Sequence, residues 1–170
     1  MLKNKTLKRI YTLGTSNRSL EEFLELLERF KISQVFDVRS FPQSKRFPHF
    51  SREALGRALE EAGFSYHWLG KELGGYRRGG YEAYLKTEAF REGLRKLASF
   101  ATKAPGAIVC AERFPWRCHR RFISLALEEL GFEVIHIIEK ERIWCPHKKY
   151  SQLELRFPLS RPIEKPNDRR

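Results

Sequence analysis

The sequence has few cysteines: three among 170 residues, and the number is odd. Three thiols cannot form the dense disulfide framework of a small secreted protein, so we expect reduced thiols and a cytoplasmic location. The first nine residues contain no apolar run of the kind that forms a signal peptide. No stretch of the sequence has the length needed to span a bilayer, so we expect no membrane partner.

Methionine occurs once, and asparagine and glutamine are also scarce. The chain carries 33 Lys and Arg against 21 Asp and Glu, which gives a formal net charge of +12 and a pI near 9.9. This excess favours an anionic partner. A composition with many charged residues is also typical of heat-adapted organisms, so the net charge alone does not predict nucleic-acid binding. The 41% of hydrophobic residues excludes a disordered chain.

Short hydrophobic runs alternate with amphipathic segments of helical period. The predicted strands are Ile10–Leu13, Val35–Val38, Phe64–Trp68, Ala107–Cys110 and Val134–Ile138. Ser19 and Glu22 form a capping-box pattern before the first helix, and Pro115 suits the start of a later one. This order predicts a single α/β domain: a mostly parallel sheet of about five strands with helices on both faces. We expect the core to span residues 1–138 and residues 139–170 to form an extended, basic C-terminal tail.

The first four predicted strands are each followed by an unusual polar loop. Ligands of open α/β sheets bind beyond the carboxyl ends of the strands, so we expect these loops to form one site. Its expected binding residues carry hydroxyl, amide, carboxylate or guanidinium groups suited to a small anion. They are Thr15, Ser16, Asn17, Arg18, Asp37, Arg39, Arg77, Arg113 and Arg120.

The densest group of reactive residue types lies in the segment 110–121, which reads CAERFPWRCHRR. Cys118 is expected in the first turn of a helix, where the helix dipole and nearby arginines lower the pKa of a thiol. The candidate catalytic residues are Cys118, Cys110, Glu112 and His119, with His119 as a proton-transfer group and Glu112 as a base or an orienting carboxylate. The alternative is that Cys110 is a small buried hydrophobic residue.

A metal site is a further alternative, because Cys110, Cys118, His119, Cys145 and His147 all supply soft ligands. Structural zinc sites usually contain ligand pairs two to four residues apart, whereas the first two cysteines here are eight apart. We therefore expect no metal ion. The loop after the first strand lacks both the Walker pattern and the dinucleotide-binding pattern, and no cofactor is expected.

In order along the chain, several motifs resemble those of the bacterial and archaeal family called domain of unknown function 488. They are YTLGTSNRS at 11–19, DVRSFP at 37–42, LGG with Arg77 at 73–77, GY with Tyr84 at 80–84, and CAERFPWRCHR at 110–120. The resemblance covers residues 10 to about 138, and the last motif is highly specific. It implies a family but no reaction, since the activity of the family is unassigned.

The chain is also similar, more distantly, to rhodanese-like domains. These share a capped helix, a strand that ends in Asp-Val-Arg, and a later strand that ends in the catalytic cysteine. The corresponding residues here are Ser19 to Leu27, Asp37 to Arg39, and Ile108 to Cys110. This likeness implies cysteine chemistry on an anionic substrate, with Cys110 at the position of the nucleophile.

Three functions of different kinds are consistent with these observations. The first is a cationic, cysteine-containing pocket that binds or processes a small phosphorylated or nucleotide-like anion. The second is a nucleic-acid-binding module, in which basic and aromatic residues of segments 41–57 and 68–84 contact phosphates and bases. The third is an interaction protein without turnover. The oligomeric state is not predicted by the sequence.

Overall fold

The structure is a computed structural model that describes residues 8–146. Six helices and six strands follow one another along the chain, together with two 3-10 turns at Pro48–Phe50 and Pro115–Arg117. The strands are β1 Lys8–Gly14, β2 Gln34–Asp37, β3 Ser65–Trp68, β4 Gly106–Cys110, β5 Phe132–Glu139 and β6 Arg142–Trp144. The helices are α1 Leu20–Arg29, α2 Arg52–Glu61, α3 Gly70–Leu73, α4 Tyr81–Tyr84, α5 Glu88–Ala101 and α6 Arg120–Glu129.

All six strands form one sheet in the order β3-β2-β4-β1-β5-β6, and only β6 runs antiparallel to its neighbour. The predicted α/β class with a mostly parallel sheet is therefore confirmed. The sheet has six strands rather than about five, because the chain turns after Glu139 and pairs β6 with β5. The predicted tail contributes this edge strand, and its remainder from residue 147 onward lies outside the described residues.

Helices cover both faces of the sheet, as predicted. On one face α1 and α2 bury Phe23, Leu27, Leu55 and Leu59. On the other face α3, α5 and α6 bury a second apolar layer, which includes Leu97. The predicted capping box at Ser19 and Glu22 is present at the start of α1. No helix within residues 8–146 is long and apolar enough to cross a membrane.

The predicted helix after β4 is present, but the prediction that it begins at Pro115 is wrong. Pro115 opens a 3-10 turn, and α6 begins only at Arg120. Between them Cys118 has extended backbone, with φ −133° and ψ 152°. Proline at a first position suits either kind of helix, and the sequence pattern did not show the interruption. Cys118 therefore lies just before α6 and not in its first turn.

Candidate functional site at the carboxyl edge of the sheet

The loops after β1, β2 and β4 meet at one edge of the sheet. Parallel pairing sets Asp37 beside Val109 and Gly14 beside Cys110, so these three strands end together. Beyond the strands, the Thr15 amide donates to the Cys110 carbonyl at 2.8 Å. Gly14 allows the close crossing of two loops, since a Cβ there would lie 2.2 Å from the Glu112 carbonyl oxygen. The sequence motifs thus converge, as the sheet rule predicts.

Two of the cysteines are in direct contact. The Cys118 thiol donates a hydrogen bond to Cys110 Sγ at 3.0 Å, and the side chains are only 8% and 7% exposed. This hydrogen bond favours a single negative charge on the pair, at Cys110. It moves the pKa of Cys110 well below its ordinary value and the pKa of Cys118 above it.

His119 lies against the two sulfur atoms with a defined ring orientation. Its Nδ1 is 3.5 Å from Cys118 Sγ and 4.0 Å from Cys110 Sγ, while Nε2 lies 3.0 Å from the Val38 carbonyl oxygen. A carbonyl can only accept, so Nε2 donates the hydrogen bond and Nδ1 is the ring nitrogen that faces the two sulfur atoms. Gly75 packs directly on this ring, since a Cβ at Gly75 would lie 2.6 Å from Nδ1.

A fully buried cation, Arg120, lies next to the thiol pair. Its guanidinium donates to Thr12 Oγ1 at 3.3 Å, to the Arg113 carbonyl at 3.0 Å and to the Glu112 carbonyl. None of these acceptors carries a charge, and no carboxylate within residues 8–146 forms an ion pair with it. Its positive charge acts to lower the pKa of both thiols, although the hydrogen bond to Cys110 and burial raise the pKa of Cys118 overall. Arg120 is therefore bound inside the protein, where we had expected a ligand contact.

The cluster could hold a soft metal ion through three donors. Cys110 Sγ, Cys118 Sγ and a ring nitrogen of His119 all lie within 4.8 Å of one another. Spacing along the chain did not predict this group, because the fold brings the end of β4 and the start of α6 together. Cys145 packs against the core layer on the opposite face of the sheet. His147, the fifth candidate ligand, falls outside the described residues.

A cleft of about 430 Å³ opens on the face of the sheet that α1 and α2 cover. The loops after β1 and β2 provide most of its lining, and Ala111 after β4 completes it. Its lining residues are Thr15, Ser16, Asn17, Arg39, Phe41, Gln43, Ser44, Arg46, Phe47, Phe50 and Ala111. Cys110 lies in the apolar layer of the other face, so the cleft and the thiol pair are neighbours across the end of the sheet.

Most arginines predicted to bind a ligand are held by the protein itself. Arg39 forms a bidentate ion pair with the fully buried Asp37 at 2.7 and 2.8 Å and also donates to the Phe50 carbonyl. Arg18 is buried and donates to the carbonyls of Gly14 and Ile138 and to Glu139. Arg77 binds the carbonyls of Gly74 and Lys71.

Arg113 holds two of the three polar residues that line the cleft after β1. Its guanidinium donates to Ser16 Oγ at 3.3 Å and to Asn17 Oδ1 at 2.8 Å, and forms an ion pair with Glu139. The Asn17 side-chain oxygen accepts this hydrogen bond, so the Asn17 amide NH₂ is left to donate to another group. The Glu112 carboxylate accepts from the Phe114 amide at 3.2 Å, so it stabilises its own loop. The catalytic roles of Glu112, His119 and the two cysteines stay predictions.

Arg46 is a cation that the sequence indicated for the nucleic-acid alternative, within segment 41–57, but not for the small-anion site. It is exposed, lines the cleft, and has no ion pair within the part of the chain that the structure describes. Its guanidinium lies 5.3 Å from the ring centroid of Phe47. The available signal was the position of Lys45 and Arg46 in a proline-bounded loop that directly follows β2.

The fold and this edge define a single-sheet α/β protein with a buried thiol pair beside an open polar cleft. The sequence model of the family described as "Domain of unknown function DUF488" matches residues 19–127. The chain belongs to this family, as its motifs indicate. Comparison with curated proteins and with solved structures finds no match.

Proposed function

We propose that the protein binds a small phosphorylated or nucleotide-like anion in the cleft at the carboxyl edge of the sheet. The observation that carries the proposal is the position of Arg46, whose guanidinium forms no ion pair within residues 8–146 and lies among hydrogen-bonding side chains in a concave site. A planar guanidinium binds phosphate through two parallel hydrogen bonds. The Asn17 amide and the hydroxyl groups of Ser16 and Ser44 supply further polar contacts on the same surface.

The charge balance around the cleft supports an anionic ligand. Arg18 and Arg113 share one carboxylate, that of Glu139. Burial lowers the pKa of Arg18, and the nearby positive charge of Arg113 lowers it further. Arg39 is neutralised by Asp37, and Arg46 adds a further positive charge. A bound phosphate would relieve this excess.

The size and walls of the cleft suit a mononucleotide. Its volume of about 430 Å³ lies within the usual range of ligand pockets. Phe41, Phe47 and Phe50 form apolar surface opposite the polar residues. An aromatic base could pack on these rings while its phosphate contacts Arg46.

We expect the substitution Arg46→Ala to weaken binding of adenosine monophosphate about 10- to 100-fold, because it removes a hydrogen-bonded charge worth about 1.5–3 kcal/mol. Titration calorimetry with this nucleotide and with inorganic phosphate measures the effect. Arg57→Ala is the matched control, since Arg57 is exposed on α2 and does not line the cleft. Equal losses in both variants, or no binding by the unaltered protein, would contradict the proposal.

A second candidate function is supported by a specific observation: two aromatic side chains are exposed next to the cleft. Phe41 is 73% exposed and Tyr76 78% exposed, and their ring centroids lie 5.7 Å apart. They come from two different loops, which also carry the exposed basic residues Arg46 and Arg78. Exposed rings among cations are typical of surfaces that bind single-stranded nucleic acid.

For this second candidate, we expect Phe41→Ser and Tyr76→Ser each to weaken binding of a fluorescent oligothymidylate about 5- to 100-fold. Leu125→Ser removes an exposed apolar side chain of α6 and should leave binding unchanged. The salt dependence of binding distinguishes the two functions. For a single strand, the slope of the logarithm of the binding constant against the logarithm of the salt concentration becomes more negative by about 0.7 for each phosphate contacted. A slope near zero with intact mononucleotide binding would exclude the nucleic-acid function.

A further inference from the structure

We propose that Cys110 and Cys118 form a redox-active dithiol, which a hydroperoxide oxidises to an intramolecular disulfide. The two sulfur atoms are already in contact at 3.0 Å. A disulfide bond is about 2.05 Å long, so the sulfur atoms need to approach by about 1 Å. The proposal concerns the thiol pair alone and is independent of anion binding in the cleft.

The separation of the two sulfur atoms lies between that of a zinc-bound pair and that of a disulfide. Two thiolates on a tetrahedral zinc ion lie about 3.8 Å apart, as Zn–S bonds of about 2.3 Å require. The observed separation of 3.0 Å is about 0.8 Å shorter than that of a zinc-bound pair, so a zinc ion would require the two sulfur atoms to move apart. His119 Nδ1, at 3.5 and 4.0 Å from the sulfur atoms, is placed to exchange protons with both.

The charge on Arg120 favours a dithiol over a zinc site. One thiolate and one buried guanidinium are together neutral, which avoids the high cost of an unpaired buried charge. A zinc ion with two thiolates is already neutral and would leave Arg120 without a counter-charge. The buried guanidinium lies where it would stabilise a thiolate formed at the pair, and the thiolate is the form of cysteine that attacks an oxidant.

The oxidation proceeds in two steps. The Cys110 thiolate attacks the terminal oxygen of the hydroperoxide, the O–O bond breaks, and the alkoxide takes a proton from solvent and leaves as the alcohol. Cys118 then passes its proton to His119 Nδ1 and attacks the Cys110 sulfenic acid. The S–O bond breaks, and the leaving hydroxide takes that proton to form water. Hydroperoxide is reduced to alcohol and water, and two cysteines are oxidised to a disulfide.

The test uses the full chain with Cys145→Ser, so that only the two clustered thiols remain, and hydrogen peroxide as oxidant. We expect a mass loss of two hydrogens, loss of both titratable thiols, and recovery of both on addition of dithiothreitol. Cys118→Ser should lose disulfide formation completely and give instead a Cys110 sulfenic acid that dimedone traps. In the unaltered chain, Cys110 should oxidise at least about tenfold faster than Cys145.

Two results would overturn the proposal. One is oxidation of Cys145 before the pair, or oxidation of the pair beyond sulfenic acid without a disulfide. The other is a stoichiometric metal ion in the purified protein that prevents oxidation until it is chelated, which would make the cluster a metal site. Reversible disulfide formation is also measured in the unaltered chain, so a variant that fails to fold does not decide the outcome.

Discussion

Replacing Arg120 by methionine is expected to lower the free energy of unfolding by about 3 kcal/mol or more. The side chain is fully buried, and methionine fills most of its volume but donates no hydrogen bond. The carbonyls of Glu112 and Arg113 would lose a donor, and the thiolate would lose the cation that balances it. The pKa of Cys110 should rise as a consequence, because the positive charge that lowers it is gone.

Urea denaturation of both proteins measures the loss, and Arg121→Met is the matched control on the same helix. Arg121 is exposed and donates one hydrogen bond, to the Trp116 carbonyl, so its replacement should cost less than about 1 kcal/mol. Equal stability of the Arg120→Met variant and the unaltered protein would contradict the structural role. Arg120 and Arg121 are adjacent in the sequence, and only the fold shows that the first is buried and the second exposed.

The fold was predictable where hydrophobic patterns are long and regular. The core strands were recognised because runs such as Ala107–Cys110 are continuously apolar, as buried parallel strands are. The strand β6 was missed because it has only three residues and follows the charged segment Glu139–Glu141. Its pairing depends on the neighbouring edge of β5, which is tertiary information that local sequence does not contain.

The site was predictable in its location but not in its arrangement. Residues after parallel strands must meet at one edge, and this was enough to bring Cys110, Asp37 and Ser16 to the same end of the sheet. Which face a residue occupies depends on the pleat, and Cys110 lies on the face opposite the cleft. Sequence also cannot show whether an arginine is already paired, so Arg39 was expected to bind a small anion, while Arg46 was considered only as part of segment 41–57 in the nucleic-acid alternative.

Substitution of the buried ion pair beneath the cleft is expected to show strong coupling between its members. Asp37→Ala would leave the 8%-exposed Arg39 without a carboxylate, and Arg39→Ala would leave the fully buried Asp37 with Tyr66 as its remaining side-chain partner. Each single change should therefore lower the free energy of unfolding by about 3–5 kcal/mol. The double variant buries no unpaired charge, so it should lose less than the sum by about 2 kcal/mol or more.

A double-mutant cycle from urea denaturation measures this coupling, and Glu88 with Arg95 is the matched control pair. Those two side chains form an ion pair at 2.6 Å on the exposed surface of α5, where water screens the charges and no measurable coupling is expected. Additive losses for Asp37 and Arg39 would mean that the buried pair is not held by its charges. Coupling in the buried pair and none in the control pair is the expected result if the charge of Asp37 holds Arg39. Arg39 is then not free to bind the anion that Arg46 binds. The double variant Asp37→Ala/Arg46→Ala should then still bind the anion, because the guanidinium of Arg39, released from Asp37, lines the same cleft.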